Sequence, residues 1–301
     1  MEQLCYFVSS RGLLKSCNFH SPNPKSSCNN DNQYLINMLK SNNMFDGMTI
    51  YVCSDLLQYF VNNILSHIKH KFVLVSGDSD LCVPLEALTK VETYRLLNSP
   101  YLVKWVTQNT KIQDNDKIVQ MPIGIDYHTI ANNPNCKWKI RGENSLPRSQ
   151  EYTLVSIKDK SVPFYERISK IYVNFSINND RFNQRKQSLN TIPSNLLVLD
   201  QDFKPRTFLW SQMIKYAFVL SPFGIGMDCH RTWEALCLGC IPIVCAPHFN
   251  KLLDDLPVLI VNKWSDITED LLKETLNKFS NKLFKYEKLS LEYWQNKIRS
   301  L

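Results

Sequence analysis

The segment from Phe218 to Val244 constrains the fold more than any other part of the chain. Its pattern predicts a strand, a loop with two glycines, a helix that stops at Gly239 and a second strand. Strands that alternate with helices are typical of an α/β domain. The second half of the chain repeats this alternation, with strands predicted at 170–175, 196–199, 217–220, 241–245 and 258–261 and helices at 207–215, 229–238 and 266–283.

The first half of the chain shows the same alternation. Phe72–Val75 is an all-apolar run, typical of a strand that is buried in a parallel sheet, and a polar loop that ends at Asp80 follows it. Residues 49–53 and 117–121 predict two more strands, and apolar residues at helical spacing predict a helix over 54–69. We therefore expect an α/β domain in this half as well.

The length of the chain and one polar stretch predict two domains. The chain has 301 residues, about twice the usual length of a domain. Residues 132–150 are rich in Asn, Pro, Gly and Ser and are the most linker-like part. We predict a first domain at 1–145, a second at 146–285 and a last helix at 286–301 that packs back on the first domain.

Charge and composition argue against several classes of partner. The net charge of +7 is spread along the chain, without the run of about five or six Lys and Arg that is typical of a nucleic-acid arm. Neither a signal peptide nor an apolar run of about 18 residues is visible, so we expect no membrane span and a cytoplasmic location. We expect the ten cysteines to be free thiols in such a reducing compartment.

The loop before the predicted helix at 229–238 has the features of an anion site. Glycine in such a loop permits a positive φ and a close approach of the backbone to a ligand. Asp228 is a candidate N-cap, and the first N–H groups of a helix can hold a diphosphate without a metal. A packing turn without a ligand is the alternative. The predicted loop contacts to a nucleotide donor are Ser221, Pro222, Phe223, Gly224 and Gly226.

Three polar residues of the same helix lie on neighbouring parts of one face. His230 and Glu234 are four positions apart, and Arg231 and Glu234 are three apart. Arg231 is placed to neutralise phosphate, because a guanidinium makes paired, planar contacts with it. We expect Glu234 to accept hydrogen bonds from a ribose and His230 to contact phosphate or sugar. Cys237 and Cys240 are interpreted as small buried side chains rather than metal ligands.

The same segment resembles a known family. Arg231-Thr-Trp-Glu234-Ala-Leu and Gly239-Cys-Ile-Pro-Ile-Val244 are similar to the donor-binding signature of the exostosin-like glycosyltransferases. Val173-Asn-Phe-Ser176 followed by Arg185 resembles the strand and basic residue that open the nucleotide domain of that family. The resemblance covers roughly residues 70–250, with weaker similarities at 72–80, 105–109 and 121–126.

The resemblance implies a fold, a reaction and a donor. It implies two Rossmann-like domains that face a cleft (the GT-B arrangement), with 1–145 on the acceptor side and 146–285 binding the donor. The implied reaction is an inverting transfer, usually from a UDP-sugar, without a metal or other cofactor. A chain without a membrane anchor looks most like the soluble members from large DNA viruses of algae, which decorate capsid glycans. That likeness implies UDP-xylose as donor, a glycan hydroxyl as acceptor and the host cytoplasm as location.

Two alternatives to that function remain open. One is a non-catalytic module of the same fold that binds a nucleotide sugar or a glycan. The other is a transferase of the GDP-fucose type, whose helix would also carry a Glu after a polar turn.

An inverting transfer also needs a base that takes the proton of the acceptor hydroxyl. Asp78 and Asp80 follow a predicted buried strand, and ligands bind at the carboxyl ends of such strands. Adjacent carboxylates can raise each other's pKa. Asp126, with His128 nearby, follows another strand and is the second candidate. A simple turn is the alternative for the segment that contains Asp78 and Asp80. Arg185 and Arg231 would neutralise the departing diphosphate.

Overall fold

The structure is a computed structural model of the chain. It describes residues 1–22, 24, 31–133, 135–140, 142–200, 202–246 and 249–301. Two β-sheets lie one in each half of the chain, and every neighbouring pair of strands runs parallel. The predicted α/β class is therefore confirmed. In the described part of the chain, no helix combines the length and the apolar character needed to cross a bilayer.

The first sheet has four strands in chain order. They are β1 (Met48–Cys53), β2 (Phe72–Gly77), β3 (Leu102–Thr107) and β4 (Ile118–Gln120). β1 and β2 are buried at every position, which explains their nearly continuous apolar sequence. The helices of this half are α1 (Ser10–Leu14), α2 (Gln33–Lys40), α3 (Leu57–Tyr59), α4 (Lys90–Leu97) and α5 (His128–Asn132).

The helix predicted over 54–69 is irregular. The short α3 is flanked by a 3₁₀ turn at Ser54–Leu56 and a π-helical segment at Phe60–Ile64, and a second 3₁₀ turn ends the segment. The apolar residues of this segment recur every four positions. A regular helix has about 3.6 residues per turn, so such a repeat drifts around its surface. The wider π turn keeps these side chains facing the core.

The second sheet has five strands in the order β6-β5-β7-β8-β9. They are β5 (Ile168–Val173), β6 (Leu197–Leu199), β7 (Tyr216–Leu220), β8 (Ile241–Val244) and β9 (Leu259–Ile260). The helices of this half are α6 (Pro147–Lys158), α7 (Gln184–Thr191), α8 (Arg206–Met213), α9 (His230–Cys237), α10 (Asn250–Leu253), α11 (Glu269–Ser280) and α12 (Leu291–Arg299).

Two helix ends illustrate how local sequence acts. Gly239 has φ +71°, and the N–H groups of Gly239 and Cys240 donate to the carbonyls of Leu236 and Ala235, which confirms the predicted stop of α9. The predicted linker at 132–150 is wrong at its end, because α6 begins at Pro147. Proline suits the first position of a helix, where its missing N–H has no partner to lose.

The two halves share one cluster of buried apolar side chains. Val73 and Val75 of β2 lie in this shared cluster together with Val219 of β7, whereas Phe72 and Leu74 face a separate cluster within the first half. Alternate residues of β2 therefore pack on opposite sides of the first sheet.

Helix α12 completes the shared cluster. Its residues Leu291, Trp294 and Ile298 are buried there, and it packs against α1. Nε2 of Gln295 donates to Oγ of Ser16 at 2.6 Å. This contact with the first half agrees with the packing that the sequence predicts for the last helix, while the predicted domain limits stay a prediction.

Candidate functional site

The loop between β7 and α9 lies at the carboxyl end of a parallel strand, where ligands bind in α/β proteins. Oγ of Ser221 is 2.9 Å from Oγ1 of Thr232, and the N–H of Phe223 donates to Oε1 of Gln184 at 3.2 Å. Pro222 is buried between them. These three predicted donor contacts hold the loop against its own half of the molecule.

The two loop glycines are needed for close approach and not for backbone conformation. Neither Gly224 nor Gly226 has a positive φ, so the predicted conformational reason is wrong. A Cβ at Gly224 would lie 2.5 Å from Nη2 of Arg185, and a Cβ at Gly226 would lie 2.8 Å from Oδ1 of Asp80. Glycine thus lets an arginine and a carboxylate reach the loop backbone.

Asp228 does not cap α9, so the N-cap prediction is wrong. The helix begins at His230 without a side-chain cap. The Asp228 carboxylate instead accepts hydrogen bonds from the N–H of Ile123 at 2.7 Å and from Nε1 of Trp233 at 2.9 Å. Its backbone N–H donates to Oδ1 of Asn109 at 2.8 Å. Asp228 therefore joins the loop to the first half of the chain.

The buried Asp228 carboxylate gives the protein a specific pH dependence. Burial raises the pKa of Asp228 to about 6 from an ordinary value of 3.8. The folded state therefore binds this proton more tightly than the unfolded state does, and the contribution of Asp228 to stability falls as pH rises from about 4 to about 6. We expect the difference in free energy of unfolding, wild type minus Asp228→Asn, to decrease by about 2 kcal/mol between about pH 4 and about pH 7. Urea denaturation across this range measures it, and a pH-independent difference would contradict it.

Two guanidinium groups, those of Arg185 and Arg231, lie close to the ring of Phe175, which follows β5. Cζ of Arg185 is 5.5 Å and Cζ of Arg231 is 5.3 Å from the centroid of the Phe175 ring. Arg185 donates to the carbonyl of Ser176 at 2.7 Å, and Nε of Arg231 donates to Oδ1 of Asn174 at 2.9 Å. Among the described residues, no carboxylate forms an ion pair with either guanidinium.

Arg231 has unused hydrogen-bonding capacity. Its Nη1 is buried and has no hydrogen-bond partner among the residues that the structure describes. Burial lowers the pKa of Arg231 to about 10, and the neighbouring Arg185 adds to this effect. A buried donor and two adjacent cations cost free energy unless an anion compensates them. A phosphate group has the charge and the oxygen geometry for this role.

A second charged network includes Asp126 and Glu234. Nη2 of Arg206 is 2.8 Å from Oδ2 of Asp126, and Nε of Arg206 is 3.7 Å from Oε1 of Glu234. Oδ1 of Asp126 is 3.2 Å from Nδ1 of His128. Burial opposes ionisation of Asp126, but Arg206, His128 and His230 outweigh it and hold the pKa of this carboxyl well below its usual range. Asp126 is thus a fixed, ionised carboxylate, and Arg206 is a site residue that the sequence did not indicate.

The structure separates the two aspartates that follow β2. Asp78 has φ +59°, and its Oδ2 lies 3.0 Å from Nε of Arg11 in a buried ion pair. Asp80 is half-buried, and its Oδ1 lies 2.8 Å from the position that a Cβ on Gly226 would occupy. Burial raises the pKa of Asp80, and Asp55 adds to the rise, so Asp78 is not its main perturbing neighbour. Of the two candidates, Asp80 is the one that reaches the loop.

Two histidines meet where the loop contacts the first half. Nδ1 of His230 is 2.7 Å from the carbonyl oxygen of Gly124, and the rings of His230 and His128 are 6.3 Å apart, edge to face. Burial lowers the pKa of His128 to about 4, so this ring is neutral at pH 7. The structure therefore brings His230, His128, Asp126 and Asp80 together at one boundary.

Cys237, at the end of α9, and Cys240, just before β8, are part of the core. Cys237 and Cys240 are both buried, and Nη1 of Arg167 contacts Sγ of Cys240 at 3.1 Å. Burial raises the pKa of Cys240 to about 11. The described cysteines are free thiols, as expected. Within the described residues, no three His, Cys, Asp or Glu side chains are grouped so that they could hold a metal ion.

Comparison with protein-family models finds none that matches the chain, and comparison with curated proteins finds no significant match. The resemblance to the exostosin-like glycosyltransferases therefore rests on the motifs in the sequence.

Proposed function

We propose that the chain is an inverting, metal-independent glycosyltransferase that binds the diphosphate of a nucleotide sugar at Arg185 and Arg231. The pair of guanidiniums without a carboxylate partner among the described residues carries the proposal. Both side chains lie beside Phe175, at the carboxyl end of β5. The N-terminus of α9, an eight-residue helix, adds N–H donors that favour an anion.

The arrangement of the two sheets supports a two-domain transferase. One parallel sheet lies in each half, and the loop before α9 contacts both halves through Asp228. We propose that these halves form the two Rossmann-like domains of the GT-B arrangement. Glu234, which lies one turn further along α9 than Arg231, would bind the ribose, with Arg206 holding its carboxylate.

The proposed chemistry places opposite charges where the reaction needs them. Transfer breaks the bond between the sugar and the diphosphate, and the two guanidiniums stabilise the negative charge that develops on the leaving oxygen. The acceptor hydroxyl must lose its proton to a side chain at the boundary between the halves. Asp80, His128 and His230 are among the side chains at that boundary that can accept a proton. UDP-xylose as donor and a glycan hydroxyl as acceptor follow the resemblance to the algal-virus proteins.

A thermal-shift experiment tests the donor site. The pure protein is heated with UDP, GDP, CMP or UDP-xylose at millimolar concentration in EDTA, with uridine as the control that lacks phosphates. We expect UDP to raise Tm by about 5 °C when its concentration is about 100 times Kd, because ligand binding stabilises the folded state by mass action. Uridine should give a much smaller shift. The absence of a shift with every nucleotide would overturn the proposal.

Product analysis then separates the proposed enzyme from a binding module. UDP release from UDP-xylose is followed by chromatography, with water or a glycan as acceptor and EDTA present. Release of UDP supports a transferase. Binding without release would favour the non-catalytic module, and a shift with GDP alone would favour a donor of the GDP-fucose type.

A further inference from the structure

We infer that His230 is the catalytic base that removes the proton from the acceptor hydroxyl, an inference that rests on the proposed function. Its imidazole begins α9 and reaches the first half of the chain, where Nδ1 lies 2.7 Å from the carbonyl oxygen of Gly124. The position of the proton on this ring carries the inference.

The hydrogen bond to Gly124 determines the tautomer of His230. A carbonyl oxygen can only accept, so Nδ1 must carry the proton in this contact. In the neutral ring, Nε2 then carries a lone pair. A lone pair attracts a hydroxyl and repels a phosphate oxygen. This tautomer is therefore suited to a hydroxyl, and the predicted phosphate contact of His230 would need a second proton on the ring.

The geometry of α9 separates the two chemical roles. Successive side chains of a helix are about 100° apart. Arg231 is directed toward Asn174, which follows β5, whereas His230 is directed toward Gly124, which follows β4. The start of one helix thus presents a cation for the leaving diphosphate on one side and a proton acceptor for the incoming hydroxyl on the other.

Three carboxylates lie near enough to His230 to interact with its ring when it carries a second proton. Asp80 follows β2, Asp126 follows β4 and Asp228 lies in the loop before α9, and each interacts favourably with a charged His230. His128, on α5, opposes this charge but is itself neutral because burial lowers its pKa to about 4. Of the three carboxylates, Asp126 is also paired with Arg206 at 2.8 Å.

Asp80 is less suited to contact the acceptor hydroxyl. Its Oδ1 lies against the backbone of Gly226, and a Cβ at Gly226 would overlap with this oxygen at 2.8 Å. The loop thus covers part of the carboxylate. We assign Asp80 to positioning and stabilising the protonated His230.

The transfer step balances with these groups. The acceptor oxygen forms a bond to the anomeric carbon while its proton moves to Nε2 of His230. The bond from that carbon to the diphosphate oxygen breaks, and its electron pair leaves with the nucleoside diphosphate, which Arg185 and Arg231 hold. The imidazolium afterwards loses its proton to water.

The test compares His230→Asn with Asp80→Asn and with a control variant at His67. The amide N–H of Asn in His230→Asn replaces the Nδ1–H donor to Gly124 but supplies no base. With UDP-xylose as substrate and water or a glycan as acceptor, we expect kcat for UDP release to fall by about 100- to 1,000-fold in this variant. The Kd for UDP, measured by calorimetry, should change by less than about 2-fold because Arg231 remains. Asp80→Asn should lose less activity, and His67→Asn, at an exposed histidine, should match the wild type.

The outcomes distinguish the inference from the proposed function. Wild-type turnover that persists in His230→Asn but is lost in Asp80→Asn would overturn the inference alone. If the wild type neither binds UDP nor releases it from UDP-xylose, the proposed function fails and the inference falls with it. Long-range ¹H–¹⁵N spectra give a readout without turnover, with the signals of His230 assigned by their loss in His230→Asn. A proton on Nδ1 supports the inference, and a neutral ring protonated on Nε2 would contradict it.

Discussion

Arg231→Gln is expected to raise the Kd for UDP by about 100-fold. In the proposed donor site, the substitution would remove two charge-assisted hydrogen bonds to phosphate, a loss of about 3 kcal/mol. A change of about 1.4 kcal/mol changes Kd tenfold. The glutamine amide can still donate to Asn174. The free protein should keep its Tm or gain slightly, because the variant removes a half-buried cation beside Arg185. Calorimetry measures the first effect and a thermal melt the second.

Lys186→Gln is the matched control for this substitution. Lys186 is exposed and follows Arg185 in α7, so the variant also removes one positive charge from this region. We expect its Kd for UDP to stay within about 2-fold of the wild type, because exposed charges are screened by salt. Equal losses in both variants would indicate general electrostatic attraction. Unchanged binding in Arg231→Gln would remove Arg231 from the donor site.

Arg206→Ala is expected to lower the free energy of unfolding by about 3 to 5 kcal/mol. Arg206 is buried and pairs with Asp126 at 2.8 Å and with Glu234 at 3.7 Å. Removing one partner of a buried pair leaves an uncompensated charge, which is much more costly than the loss of the attraction itself. Urea denaturation measures the change, provided that the transition is two-state.

Two further variants test whether the loss of stability in Arg206→Ala comes from the Asp126 carboxylate that it leaves without its arginine partner. Arg167 is as buried as Arg206, but its guanidinium contacts the carbonyls of Val162 and Leu238 and the thiol of Cys240. Its replacement by alanine leaves no buried charge and should cost about 1 to 2 kcal/mol. Adding Asp126→Asn to Arg206→Ala should restore part of the lost stability. A double variant less stable than Arg206→Ala would contradict this explanation.

The elements that follow from local patterns were predictable. β7 and β8 are short apolar runs, and α9 ends at a glycine, so the sequence placed the unit from Phe218 to Val244 within a residue or two of its observed bounds. The same pattern suggested an anion site near Arg231, because a loop with glycines precedes a helix with a basic first turn. These signals depend only on neighbours along the chain.

Contacts between distant residues were not predictable in this way. Asp228 has the chemistry of an N-cap, yet its carboxylate accepts a hydrogen bond from the N–H of Ile123, 105 positions away. Asp78 pairs with Arg11 and Asp126 with Arg206, and neither arginine belongs to a motif. Whether a polar side chain caps its own helix or binds a distant partner depends on how the two halves pack. A single sequence does not reveal that packing.

The position of α12 has a consequence for biosynthesis. Leu291, Trp294 and Ile298 pack into the same apolar cluster as Leu13 and Leu14, so α1 and α12 belong to one core although they are far apart along the chain. During translation, α1 emerges from the ribosome long before α12, so the part of the cluster that α12 covers stays open until α12 has emerged. A nascent chain of this protein therefore exposes the apolar residues of α1 from their own emergence until that of α12, and chaperones that recognise such surfaces would have access to α1 over this interval.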